Sequence, residues 1–199
     1  MNNNSGIPDE FRLIASLDRS IADAFEELAP ATELSTISFA DNTQVIEGQY
    51  ACFLSIVGHI AGTLAIVCCA SDAKKLGRFL ASSLLGEETL EQNCGTNELS
   101  EIEDSMIREL ANRIGSVLVD DLTDEEELTI RFPVLLDGTK LNIQWQHKVS
   151  VARTIQLEGF TFAAHLGLDR GSGERTTIAD RHHIIDEFRS LVLSGGVDV

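Results

Sequence analysis

Phe11, Ile14, Leu17, Ile21, Phe25 and Leu28 recur at three- and four-residue intervals between Pro8 and Pro30. That spacing predicts an amphipathic helix with the stripe turned to a core and Pro8 in its first turn. Thr43 to Val57 reads as extended, Gly58-His59 as a tight turn, and Ile60 to Cys69 as a second strand. Ile60, Gly62, Leu64, Ile66 and Cys68 share one face of that strand, so the pair is a hairpin. Ser71 can cap a helix carrying Ala73, Leu76, Leu80 and Leu84, which Gly86 ends. Thr96 or Asn97 can cap a long helix running to about Val119, with Ile102, Met106, Leu110, Ile114 and Val117 on its apolar face. Three strand candidates follow: Leu128 to Leu135 interrupted by Pro133, Leu141 to Ile155 around Trp145, and Phe160 to Leu168. Asp137-Gly138 and Glu158-Gly159 are the turn signals between them. Arg170-Gly171-Ser172-Gly173 reads as a linker to an amphipathic segment, Thr177 to Leu193, with Ile178, Ile185, Phe188 and Val192 roughly on one face.

The order helix, two strands, helix, long helix, three strands, helix is an α+β pattern: an antiparallel sheet packed against long helices. Residues 1–6 are expected to be a disordered start, 7–169 one domain, and 170–199 the linker and C-terminal helix. Charge narrows the partners. With 15 basic against 32 acidic side chains the 199-residue chain carries −17, and its pI is about 4.5. A phosphate-backbone binder needs a basic footprint, so nucleic acid and anionic membrane are both expected not to be partners. No apolar run approaches the roughly 18 residues of a spanning helix, and Met1-Asn2-Asn3-Asn4 has no signal-peptide character, so a cytosolic location is expected. Cys52, Cys68, Cys69 and Cys94 form no CxxC pair and the five histidines no ligand spacing, so no metal site is expected.

The acidity is concentrated between Glu87 and Glu127, where 14 acidic side chains face only Arg108 and Arg113. Within that stretch the long helix presents a polar stripe. At about 100° per residue from Ser105, Glu109 falls near 40° and Asn112 near −20°, opposite much of the apolar face. Charged stripes usually serve solubility. Asn, however, is a poor helix former, and its mid-helix position invites a reason.

The segment Asp104-Ser105-Met106-Ile107-Arg108-Glu109-Leu110-Ala111-Asn112-Arg113-Ile114-Gly115 resembles the signature of the CheX/CheC/FliY family of chemotaxis phosphatases. In that signature an Asp or Ser is followed four residues later by Glu and three after that by Asn, here Ser105, Glu109 and Asn112. The likeness covers roughly Leu13 to Asp169, including the Gly-punctuated hairpin and the helix ending Leu84-Leu85-Gly86-Glu87. CheC-like members repeat the motif on the first helix, but Ser16 to Pro30 has no Glu-x-x-Asn, so the chain resembles the single-site, CheX-like type.

The resemblance implies a CheC-like/CheX-like fold, a homodimer built through the sheet, and dephosphorylation of the aspartyl-phosphate of a CheY-type receiver. Glu109 and Asn112 would be the catalytic pair, Asn112 orienting the attacking water and Glu109 pairing with the receiver's lysine. Ser105, Arg108 and Ser116 would be partner contacts. No cofactor of its own is implied, Mg²⁺ being supplied by the receiver. Arg108 stands where relatives often carry a small residue such as glycine, and could obstruct the partner's pocket, contact its acidic rim or sequester Glu109. A non-catalytic adaptor of receiver-docking or flagellar-switch type, with the same fold, is the alternative.

Overall fold

Asp9 starts the first helix: its Oδ1 accepts the Arg12 backbone N–H at 2.9 Å, and Glu10–Leu28 follows as α1. Pro8 therefore precedes the cap instead of lying in the first turn. The buried face is Leu13, Leu17, Ile21, Ala24, Phe25 and Leu28. Phe11 is 85% exposed, a departure from the expected stripe. The helical wheel gives the reason: the buried apolar residues lie between about −40° and 80° of Leu17, whereas Phe11 lies near 120°. The computed structural model describes residues 8–30, 32, 34–39, 45–86, 99–122, 128–157 and 159–170. Residues 1–6, Thr96, Asn97, Cys94 and the C-terminal segment with its expected helix lie outside the described residues.

The second helix, α2 (Ala70–Leu85), starts from Cys69 and not Ser71, and the Gln49 side chain accepts the Ala70 N–H at 2.9 Å. Leu84 is exposed; Ala73, Leu76, Gly77, Leu80 and Ala81 form the buried face. The long helix α3 (Glu101–Leu122) runs one turn beyond Val119. Its start is a reciprocal cap in which Ser100 N–H donates to Glu103 Oε2 at 2.8 Å and Glu103 N–H donates to Ser100 Oγ at 3.3 Å.

Seven strands appear among the described residues: β1 (Ser35–Phe39), β2 (Val45–Val57), β3 (Ile60–Cys68), β4 (Thr129–Ile130), β5 (Val134–Gln144), β6 (Val149–Leu157) and β7 (Phe160–Arg170). They form one antiparallel sheet in the order β1-β6-β7-β3-β2-β4, with β5 also pairing to β2. The β2–β3 hairpin is as expected. β1 is a strand the polar sequence Ser35-Thr36-Ile37-Ser38-Phe39 did not reveal. Asp137-Gly138 is not a turn between strands but lies within β5. Gly48 pairs with Leu141 and Tyr50 with Asp137, so Gln49 alone stands opposite residues 138–140 and the turn signal is absorbed as a bulge. The expected strand around Trp145 is two strands, because the chain leaves the ladder after Gln144 and re-enters at Val149.

Alternation along β2 supplies two cores. Cys52, Leu54 and Ile56 face the helices in the main core, while Ala51 and Phe53 face the other side with Ile46, Ala65, Val67, Leu141 and Trp145. At Gly48 the strand passes so near Val67 that a Cβ would stand 2.5 Å from Val67 Cγ1. His165 is buried on this outer side beside Trp145, and burial pushes its imidazole down to about 4. Its folded value lies below the free value of 6.5, so the stability from keeping it neutral is present above pH 6.5 and is lost as pH falls toward 4. That loss amounts to about 3 kcal/mol. His165→Gln should flatten the pH dependence of urea unfolding over this window, measured by the midpoint at pH 7 and pH 4.5.

The helices lie on the inner face. Gly77 lets α2 cross α3: a Cβ there would be 2.8 Å from the Glu103 carbonyl oxygen and 2.9 Å from its Cα. Gly115 seats α3 on Leu54 and Ile130. Arg19 Nη1 holds Asp121 at 2.9 Å, and the buried Arg153 on β6 grips Asp18 of α1 at 2.5 and 2.9 Å. Among the described residues no helix is long and apolar enough to cross a membrane.

Candidate functional site: a polar ridge on α3

Burial of Met106, Ile107, Leu110, Ala111, Ile114 and Leu118 against the core fixes which face of α3 looks outward. Ser105 and Ser116 are exposed on that face, and Glu109 and Asn112 are half-buried between them. The four therefore form one ridge, as their spacing requires. The Asn112 amide makes no side-chain hydrogen bond to a described residue, leaving donor and acceptor atoms for an incoming group.

Both arginines of the segment are engaged. Arg108 donates from Nε to Asp104 Oδ1 at 2.7 Å, from Nη2 to Asp104 Oδ2 at 3.1 Å and from Nη1 to the Pro133 carbonyl at 3.0 Å. The hydrogen bond to Asp104 strengthens its hold on its proton. Arg108 thus does not sequester Glu109; Asp104, one turn earlier, outcompetes it by fork-to-fork geometry. Arg113 takes that role instead, donating from Nε to Glu109 Oε1 at 2.7 Å and from Nη1 to Glu27 Oε1 on α1. This pair of hydrogen bonds raises the Arg113 pKa, Glu109 contributing first. Glu109 Oε2 has no hydrogen-bond partner among the described residues. The three charges sum to −1, so the position remains anionic toward a cation that approaches it.

A cleft of about 590 Å³ lined by Gln49, Ala70, Ser71, Lys74, Lys75 and Arg78 lies at the start of α2, and none of its lining residues belongs to α3. Burial pushes the Cys52 and Cys68 thiols up to about 12, so neither offers a thiolate nucleophile at neutral pH. Among the described residues no three His, Cys, Asp or Glu side chains come together in a way that could hold a metal ion.

A sheet of this kind backed by three helices is an arrangement found in solved structures. A chemotactic CheC-like protein from Shewanella oneidensis superimposes with a TM-score of 0.62 at 14% identity, covering 81% of this chain and 100% of that one. CheX from Vibrio vulnificus gives 0.62 at 15% identity, covering 79% and 99%. A CheX in complex with CheY, BeF3 and Mg²⁺ from Borrelia burgdorferi gives 0.55 at 14% identity, covering 78% and 97%. The chain has the CheX/CheC fold. No family model and no curated protein matches its sequence.

Within this CheX/CheC fold, Ser105, Glu109, Asn112 and Ser116 come together on one face, while Arg108 flanks it, tied to β5 through Pro133. Glu27 is the residue that sequence reasoning missed. It lies 86 positions from Arg113, and only the packing of α1 along α3 brings it to the ridge. The Arg113–Glu109 pair, by contrast, has i,i+4 spacing and carried a usable signal.

Proposed function

We propose that the chain dephosphorylates the aspartyl-phosphate of a CheY-type receiver. The observation that carries this reading is that Asn112 and Glu109 lie together, half-buried, on the outward face of α3, in a fold whose Borrelia burgdorferi relative was solved with CheY, BeF3 and Mg²⁺. Phosphoryl transfer needs positioning and electrostatics more than covalent help, so a docked ridge suffices if it orders the water. Asn112 suits that task because an amide supplies a donor and an acceptor without adding negative charge beside a phosphoryl group. Glu109 offers Oε2 to the receiver's lysine and so fixes the docked register; Ser105 and Ser116 contact the rim. The Mg²⁺ is assigned to the receiver, and the protein is assigned to the cytoplasm. The sheet-mediated homodimer belongs to the same proposal, with β1 at one edge of the sheet for such pairing.

The second reading is a receiver-docking or flagellar-switch-type adaptor, favoured by the hold of Arg113 on Glu109. Mixing the protein with candidate phosphorylated receivers and Mg²⁺, and following loss of the phosphoryl group, separates the two. Accelerated loss supports the phosphatase, and binding without acceleration supports the adaptor.

A further inference from the structure

We infer that Phe132-Pro133-Val134, the knuckle between β4 and β5, is a second docking contact for the protein that engages the α3 ridge, an apolar anchor that governs affinity and not the chemical step. The inference rests on the reading that a receiver docks on the ridge. Phe132 is 92% exposed and Val134 52% exposed, although Pro133 between them is buried.

The knuckle is pinned on both sides. The Arg131 N–H donates to the Ser55 carbonyl at 2.9 Å, and Arg108 Nη1 donates to the Pro133 carbonyl at 3.0 Å. Pro133 also fixes its own φ. The backbone that carries Phe132 is therefore held in place, and a partner that covers the ring has only that side chain to order, not the loop.

Its place beside the ridge follows from two contacts with α3. Ile130 packs where Gly115 approaches it, and Pro133 is bonded to Arg108. On the wheel Arg108 and Gly115 lie near −60° and −80°, next to Asn112 near −20°. Along the axis they are about 10 Å apart, with Asn112 between them. A standard interface covers about 800 Å² on each partner, a disc about 16 Å in radius. A footprint of that radius centred on Asn112 reaches past Arg108 to the Pro133 carbonyl it holds, and so to the knuckle. The partly exposed Arg108 guanidinium, its charge balanced by Asp104, lies between the two and ties the knuckle to α3. The receiver is the occupant because the knuckle adjoins the α3 ridge on which it is proposed to dock. Arg108 accordingly acts as a positioning residue for the knuckle.

The test measures affinity by titrating BeF3⁻- and Mg²⁺-loaded receiver domains against wild type, Phe132→Ala, Phe132→Leu and Asn112→Ala, and turnover with the phosphorylated forms. Phe132→Ala should raise Kd about 30-fold, the range of a buried aromatic anchor, with kcat changed less than about twofold. Phe132→Leu should restore most of the affinity, and Leu84→Ala, which removes an exposed leucine of α2, should have no effect. Unchanged affinity in Phe132→Ala, with slow turnover in Asn112→Ala, would overturn the inference and leave the phosphatase reading standing. Failure of wild type to bind any receiver would overturn both. A wild-type dimer that dissociates on Phe132→Ala in sedimentation, without loss of receiver binding, would assign the knuckle to a second copy and also overturn it.

Discussion

Asn112→Ala should slow dephosphorylation of a receiver by about a hundredfold while changing its Kd for the BeF3⁻-loaded form by less than about threefold. Asn112 is half-buried on α3 and has no side-chain hydrogen bond within the described chain, so its removal leaves no buried group unsatisfied. The helix should lose nothing, since Ala is the better helix former by about half a kcal/mol. An effect confined to turnover, with thermal stability equal to or above wild type, therefore isolates the water-ordering role. The measurement is single-turnover loss of phosphate alongside a melting curve. Equal rates for Asn112→Ala and wild type, where wild type accelerates the loss, would remove Asn112 from the chemistry.

Gly77→Val should damage the fold far more than any substitution on the ridge or the knuckle, lowering stability by about 2 kcal/mol. Two effects oppose each other. Replacing a mid-helix glycine gains up to about 1 kcal/mol of propensity for Ala and less for Val. Against it, the new Cβ would stand 2.8–2.9 Å from the Glu103 Cβ, carbonyl oxygen and Cα, and two of these are backbone atoms of α3 that cannot move aside singly. Overpacking typically costs about 1–3 kcal/mol, and here α2 must part from α3 at the turn that carries the Ser100–Glu103 cap. Urea denaturation reads the loss, and Gly77→Ala should show a smaller one of the same sign. Gain of stability in Gly77→Ala would mean that the two helices do not touch there in solution.

What could be read from the sequence follows a physical division. Periodicity reports a face, so the α3 stripe, the β2–β3 hairpin and the break at Pro133 were all legible. Position at the margin or the end of a face is harder: Phe11 keeps the spacing of a buried stripe but points away from its centre, and Leu84 keeps the angle of the α2 stripe but lies exposed in the helix's last turn. Local chemistry also misled where tertiary structure changed its meaning. Asp137-Gly138 has the composition of a hairpin turn, yet pairing of β5 with the long β2 holds it in a bulge. Trp145 has strand propensity, yet it is buried because the chain leaves the ladder and lays it on the outer core. Contacts between distant segments left no local trace. The Arg113–Glu27 pair and the grip of Arg153 on Asp18 depend on where α1 lies against α3 and β6.

The placing of the ridge on the outward face of a single helix has a consequence for specificity. A projecting side chain cannot wrap a small molecule, exclude solvent from it or hold its leaving group. Free acyl phosphates such as acetyl phosphate should therefore hydrolyse at their spontaneous rate in the presence of this protein. Whatever catalytic power the ridge has would exist only in the assembled pair of macromolecules, each contributing half of the enclosure.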